Sequence, residues 1–105
     1  MGELTFHISG QVVERKRRTP LGGLLVEAWD SDLFCDDFVG RAITDVDGNF
    51  HIQFSQIYFR ELFIDREPDL YFKIFKGGQL IASTEDSVLW NVHAGEREVE
   101  IEVDD

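Results

Sequence analysis

Thr44 to Phe54 reads TDVDGNFHIQF, a turn followed at once by strict alternation. Phe50, Ile52 and Phe54 are apolar, while Asn49, His51 and Gln53 between them are polar. Side chains of a strand point to opposite faces in turn, so a period of two predicts a strand with one face on a core. The preceding Asp45-Val46-Asp47-Gly48 carries turn chemistry. Aspartates bond their own backbone, and glycine takes the positive φ of a tight hairpin.

The same pattern recurs on both sides. In LTFHISGQV, Leu4, Phe6, Ile8 and Val12 alternate with Thr5, His7, Ser9 and Gln11; in REVEIEV, Val99, Ile101 and Val103 alternate with Glu98, Glu100 and Glu102. LLVEAW, VGRAIT, LYFKIF and QLIAS are short β-rich runs with looser alternation, which suits central strands. Turn residues at Pro20 to Gly23 and Lys76 to Gln79 separate them. SQIYFRELF, residues 55–63, departs from this: Ser55 suits an N-cap, and Tyr58, Phe59, Leu62 and Phe63 have helical spacing. The expectation is one domain, residues 1–105: a seven-stranded antiparallel β-sandwich with one short helix at 55–63.

The order GQVV…TPLGGLLVEAWDSD…DDFVGRAITDVDGNFHIQF…PDLYFKIF resembles the transthyretin-like, carboxypeptidase regulatory-like sandwich family. The match runs from Phe6 to about Val103 and rests on turn and core residues. The resemblance implies a Greek-key, immunoglobulin-like sandwich. It also implies an accessory module attached to peptidases, spike-tip proteins of secretion systems or toxin complexes. One enzymatic branch of that fold, 5-hydroxyisourate hydrolase, ends in a tyrosine-arginine-glycine-serine motif. This chain ends in IEVDD, and His7 and His51 lie on polar strand faces, so the hydrolase assignment fails.

Composition narrows the partners. Twenty-one acidic against ten basic residues give a formal net charge of −11, which repels nucleic acid and anionic lipid and favours basic protein surfaces or cations. Arg15, Lys16, Arg17 and Arg18 hold four of the positive charges in one turn, where Asp45 and Asp47 are the expected counterpart. No apolar run approaches the roughly 18 to 20 residues of a membrane span. MGELTFHISG lacks the basic start and apolar stretch of a secretory signal, which points to the cytoplasm, an excised module or a signal-independent export route. Cys35 is the sole cysteine, so no intrachain disulfide forms, and Asp36 and Asp37 beside it oppose a nucleophilic thiolate.

Trp29 to Gly40, WDSDLFCDDFVG, is the candidate site. Asp30, Asp32, Phe34, Asp36 and Asp37 form a candidate surface for a basic protein partner, with Phe34 either a plug or an exposed anchor. The stretch also resembles a calcium loop of the membrane-binding domains in protein kinase C and synaptotagmin. That resemblance makes Asp30, Asp32 and Asp37 calcium ligands as the alternative, completed by Asp65, Glu67, Asp69, Glu85 or Asp86. A third reading has the aspartates capping the loop's own turns. Trp29 and Trp90 are expected to pack on the sandwich or at its edge. No catalytic constellation is legible. The sequence therefore predicts a non-catalytic module with a protein partner, its last strand a glutamate-guarded edge and edge-to-edge dimers open to it.

Overall fold

The computed structural model describes residues 5–32, 35–55 and 67–104. Its strands in chain order are β1 (Thr5–Glu14), β2 (Leu25–Asp30), β3 (Asp37–Ile43), β4 (Asn49–Ser55), β5 (Leu70–Lys76), β6 (Gln79–Ser83) and β7 (Gly95–Val103). They form a three-stranded sheet in the order β4-β1-β7 and a four-stranded sheet in the order β3-β2-β5-β6. The expected helix falls on residues 55–63; Ser55 ends β4 and the remainder lies outside the described residues.

Alternation placed the inner faces. Phe6, Ile8 and Val12 of β1, Phe50, Ile52 and Phe54 of β4, and Ile101 and Val103 of β7 are all buried. They meet Val26 and Ala28 of β2 and Leu70, Phe72 and Ile74 of β5 in one cluster. Phe6 lies directly opposite Phe54 in the ladder, and their rings stack at 4.9 Å with planes 5° apart. Phe50 reaches across to Phe72, centroids 6.2 Å apart, tying the two sheets together.

Strand direction corrects the antiparallel expectation. β7 runs parallel to β1 from Phe6–Gly95 to Glu14–Val103, so the three-stranded sheet is mixed. A period of two fixes which face is buried but says nothing about which way a neighbour runs. β7 is an edge, as expected.

The Asp45–Gly48 turn also differs from a hairpin, because β3 and β4 belong to opposite sheets. It is a corner. Asp45 Oδ1 accepts the backbone N–H groups of Asp47 and Asn49, each at 2.9 Å. Gly48 has φ +75°, and a Cβ there would stand 2.6 Å from the Val12 carbonyl oxygen. The Gly48 carbonyl in turn accepts the Val12 N–H at 2.8 Å, so corner and β1 are in direct backbone contact. Buried Thr44 knits the adjoining turn, its hydroxyl accepting the Leu24 N–H and donating to the Leu21 carbonyl.

The arginine run does not face Asp45 and Asp47. Arg18 bonds Glu100 and Glu102, and Arg15 lies 3.0 Å from Asp104 and 3.6 Å from Glu102. Parallel pairing carries the C-terminal end of β7 alongside the end of β1, which delivers those carboxylates to the turn.

Candidate functional site

The acidic loop leaves β2 at Asp30 and enters β3 at Asp37. Asp30 continues the inward parity of Val26 and Ala28, and it is fully enclosed at 0% exposure. A buried carboxylate is tolerable only when hydrogen-bonded. Asp30 Oδ1 accepts the Asp69 N–H at 2.9 Å, while the Asp69 carbonyl accepts the Ser31 N–H at 2.7 Å. Asp69 Oδ1 accepts the N–H of Asn91 at 2.7 Å, the latter residue in the left-handed region at φ 53°. The loop, the entry to β5 and the segment before β7 thus meet at one end of the sandwich.

Asp36 closes the loop. Its Oδ1 accepts the Asp32 N–H at 3.0 Å and its Oδ2 accepts the Tyr71 hydroxyl at 2.5 Å. The Tyr71 hydrogen bond, then the Asp32 N–H, holds the Asp36 carboxyl below its usual range. Burial first and then Asp36 push the Tyr71 phenol well above its usual value. Each shift favours the form that makes the bond: an ionised acceptor and a neutral donor. Asp37 pairs with Asp30 and is half-buried. Cys35 is exposed. Phe34 lies outside the described residues, as does Asp65.

Of the proposed calcium ligands, Asp30 is enclosed and committed to Asp69. Among the described residues no group of three or more His, Cys, Asp or Glu is placed to hold a metal ion. Asp30, Asp36 and Asp69 each accept a backbone N–H.

The surface beside the loop was not legible in the sequence. Residues directly opposite in a ladder share a face, and three rows therefore cross the outer face of the four-stranded sheet. Phe38, Trp29 and Tyr71 form an aromatic row next to the acidic loop. Arg41, Glu27, Lys73 and Ser83 form a polar row. Ile43, Leu25, Phe75 and Leu80 form an apolar row from edge to edge. Trp29 meets Phe38 edge-on at 5.6 Å, donates from Nε1 to Glu27 at 3.1 Å and lies under Lys73 Nζ, 4.3 Å from the ring centroid. Ile43 is 68% exposed, Leu80 49% and Phe38 44%. Trp29 packs on the sheet as expected, but Trp90 does not, with 66% of its surface open.

These features define an all-β protein of two packed sheets. No protein-family model matches the chain, and neither does any curated protein. Solved structures share the fold. A 9R-lipoxygenase from Cyanothece PCC8801 superposes with TM-score 0.71 and 19% identity over 93% of this chain. The match takes in 16% of the lipoxygenase chain. The dioxygenase domain of a dioxygenase carbohydrate-binding protein fusion from Streptomyces sp. SirexAA-E gives TM-score 0.59 and 21% identity over 98% of this chain and 81% of its own. An alternative pilotin from the type II secretion system of Vibrio cholerae gives 0.55 and 18% over 94% and 95%. Identities this low establish the fold alone. No helix among the described residues is long and apolar enough to cross a membrane.

Proposed function

We propose that this chain is a non-catalytic binding or structural module of the transthyretin-like kind, docking on a protein partner within a larger assembly. The observation that carries this reading is the set of large apolar side chains left exposed on the two edge strands of the four-stranded sheet's outer face. Its apolar row presents Ile43 at 68% and Leu80 at 49% exposure, and the aromatic row adds Phe38 at 44%. An exposed apolar strip rimmed by charge is the composition of an interface core and its rim. The acidic loop borders the aromatic row, with the polar row between it and the apolar row, and it supplies charge that suits a basic rim on the partner.

Two further observations support it. The fold occupies 16% of the lipoxygenase chain and nearly the whole of the pilotin, so it serves as a part and as a unit. The pilotin's place in a secretion system agrees with a role in a larger assembly. The dioxygenases share only the fold, and a metal-dependent active site needs a ligand set of three or more that the described residues do not supply. On the three-stranded sheet the edge strand β7 carries Glu98, Glu100 and Glu102 on its exposed side, which disfavours pairing with a partner there.

The test is site-specific photo-crosslinking in the cell that makes the protein. A crosslinker at position 43 should give a discrete protein adduct, and one at position 98, exposed on the far edge strand of the other sheet, should not. Equal labelling from both, or none from 43, sinks the assignment. Light scattering on the purified protein then separates a second copy from a foreign partner.

A further inference from the structure

The outer face of the three-stranded sheet holds a group that the module reading does not use. β1 and β4 are antiparallel, with Ser9 opposite His51 and His7 two pairs further along, on the same face. Both imidazoles stand on this solvent-facing side, ring centroids 5.5 Å apart. His7 Nδ1 faces His51 Nε2 at 3.5 Å, and the other nitrogen of His51, Nδ1, lies 2.9 Å from the Ser9 hydroxyl.

The spacing decides between a hydrogen bond and a chelate. A direct N–H···N bond prefers roughly 2.7–3.2 Å, so 3.5 Å is long for one. Two imidazole nitrogens on a tetrahedral ion at about 2.0–2.1 Å each stand about 3.3–3.4 Å apart. The pair therefore matches a metal bite within a small side-chain adjustment. Ser9 Oγ can accept the Nδ1 proton of His51, which leaves the Nε2 lone pair aimed at the gap. Metal-binding histidines are held by the same device, the far ring nitrogen bonded to an acceptor. On the other flank β7 brings Glu96 into register with His7 and Glu98 with Ser9, adding negative field that favours a cation.

A catalytic reading of Ser9 and His51 fails on its surroundings. The third member is an imidazole where a carboxylate would orient the base, and the β1 backbone is taken up in ladders on both sides, which leaves no oxyanion pocket.

We propose that His7 and His51 form a two-imidazole chelate for a borderline divalent transition ion of the zinc class. Imidazole selects zinc, copper and nickel over calcium or magnesium. Because no group of three ligands is placed among the described residues, water fills the remaining positions and the ion exchanges freely. The chelate ties β1 to β4 across an exposed face.

Titration calorimetry of the untagged full chain with zinc chloride tests this, with calcium chloride as the hard-ion control. One zinc should bind per chain and calcium should not compete. His7→Ala and His51→Ala should each weaken zinc by more than the roughly 10- to 100-fold that loss of a supporting group costs. His93→Ala should leave it unchanged, since His93 pairs with Glu67 and not with His7 or His51. Substoichiometric nickel should broaden the imidazole proton resonances of His7 and His51 and spare those of His93. Absence of zinc binding overturns the proposal. So does binding that survives both substitutions with circular dichroism unchanged, or that follows His93.

Discussion

The Tyr71 hydroxyl donates to Asp36 across 2.5 Å, joining β5 to a loop 35 residues earlier in the chain. Tyr71 is 3% exposed, so its hydroxyl has no water to fall back on and the carboxylate supplies its partner. The contact fixes the mouth of the acidic loop and the end of the aromatic row together. The proposed interface is therefore bordered by a loop whose shape is set from beneath.

Tyr71→Phe should destabilise the protein by about 1–2 kcal/mol near pH 7, a value reduced for the partial exposure of Asp36. The sign with pH follows from the two shifts. Asp36 is held below its usual range, so its contribution is present above about pH 3.9 and is lost as pH falls through the lowered folded value. Tyr71 is raised, so its contribution is present below about pH 10 and is lost as pH rises beyond that. Urea unfolding across pH 2–11 should find the penalty widest in the middle and shrinking at both limits. A penalty flat across this range would mean that the lost stability does not depend on the ionised Asp36 acceptor.

Asp30→Ala should cost about 1–3 kcal/mol, because it removes a fully buried carboxylate and leaves the half-buried Asp69 N–H without its acceptor. The loss should be the same in EDTA as in millimolar calcium. Thermal unfolding in the two buffers checks it. A penalty that appears only with calcium would make Asp30 a ligand after all.

The inner face of β4 and the burial of Asp30 both follow sequence parity, whereas the corner at Asp45–Gly48 does not, since its turn residues read equally well as a hairpin. Phe50, Ile52 and Phe54 declared the inner face of β4, and Asp30 shares its parity with Val26 and Ala28, which is why it points inward. Parity is silent on direction. The parallel course of β7 could not be read from REVEIEV, and one consequence propagated: Arg15 and Arg18 were matched to Asp45 and Asp47, when β7 delivers Glu102 and Asp104 to the first and Glu100 and Glu102 to the second. The same limit hid the rows on the outer face. Ile43, Leu25, Phe75 and Leu80 come from four separate strands and become neighbours only through register. His7 and His51 were each visible as polar-face residues; pairing the two alternating strands about Ser9 would have put them side by side.

The two tryptophans should separate by environment. Trp90 is 66% exposed, while Trp29 is covered by Phe38 and Lys73. Trp29→Phe protein, reporting Trp90 alone, should emit at long wavelength and be strongly quenched by acrylamide. Trp90→Phe protein should emit to the blue and resist quenching. Equal quenching constants would place Trp90 against a surface.

Gly48 and Gly78 both have positive φ, +75° and +84°, but they differ in what lies beyond the missing side chain. At Gly78, in the turn between β5 and β6, a Cβ would meet nothing within 4 Å. Alanine there pays only for the left-handed backbone, about 1–2 kcal/mol. At Gly48 the same Cβ would lie 2.6 Å from the Val12 carbonyl oxygen and 3.0 Å from the Leu21 nitrogen. Those are backbone atoms already bonded to each other at 2.9 Å, so the neighbour has no rotamer to yield and the corner must move. That displacement also strains the Val12 N–H bond to the Gly48 carbonyl, so Gly48→Ala should cost about 3 kcal/mol or more. Alanine stiffens the unfolded chain equally at both sites, so the difference between the variants isolates the close approach. Urea unfolding of the pair measures it. Equal losses would mean that the corner relaxes freely and that Gly48 is needed for its φ alone.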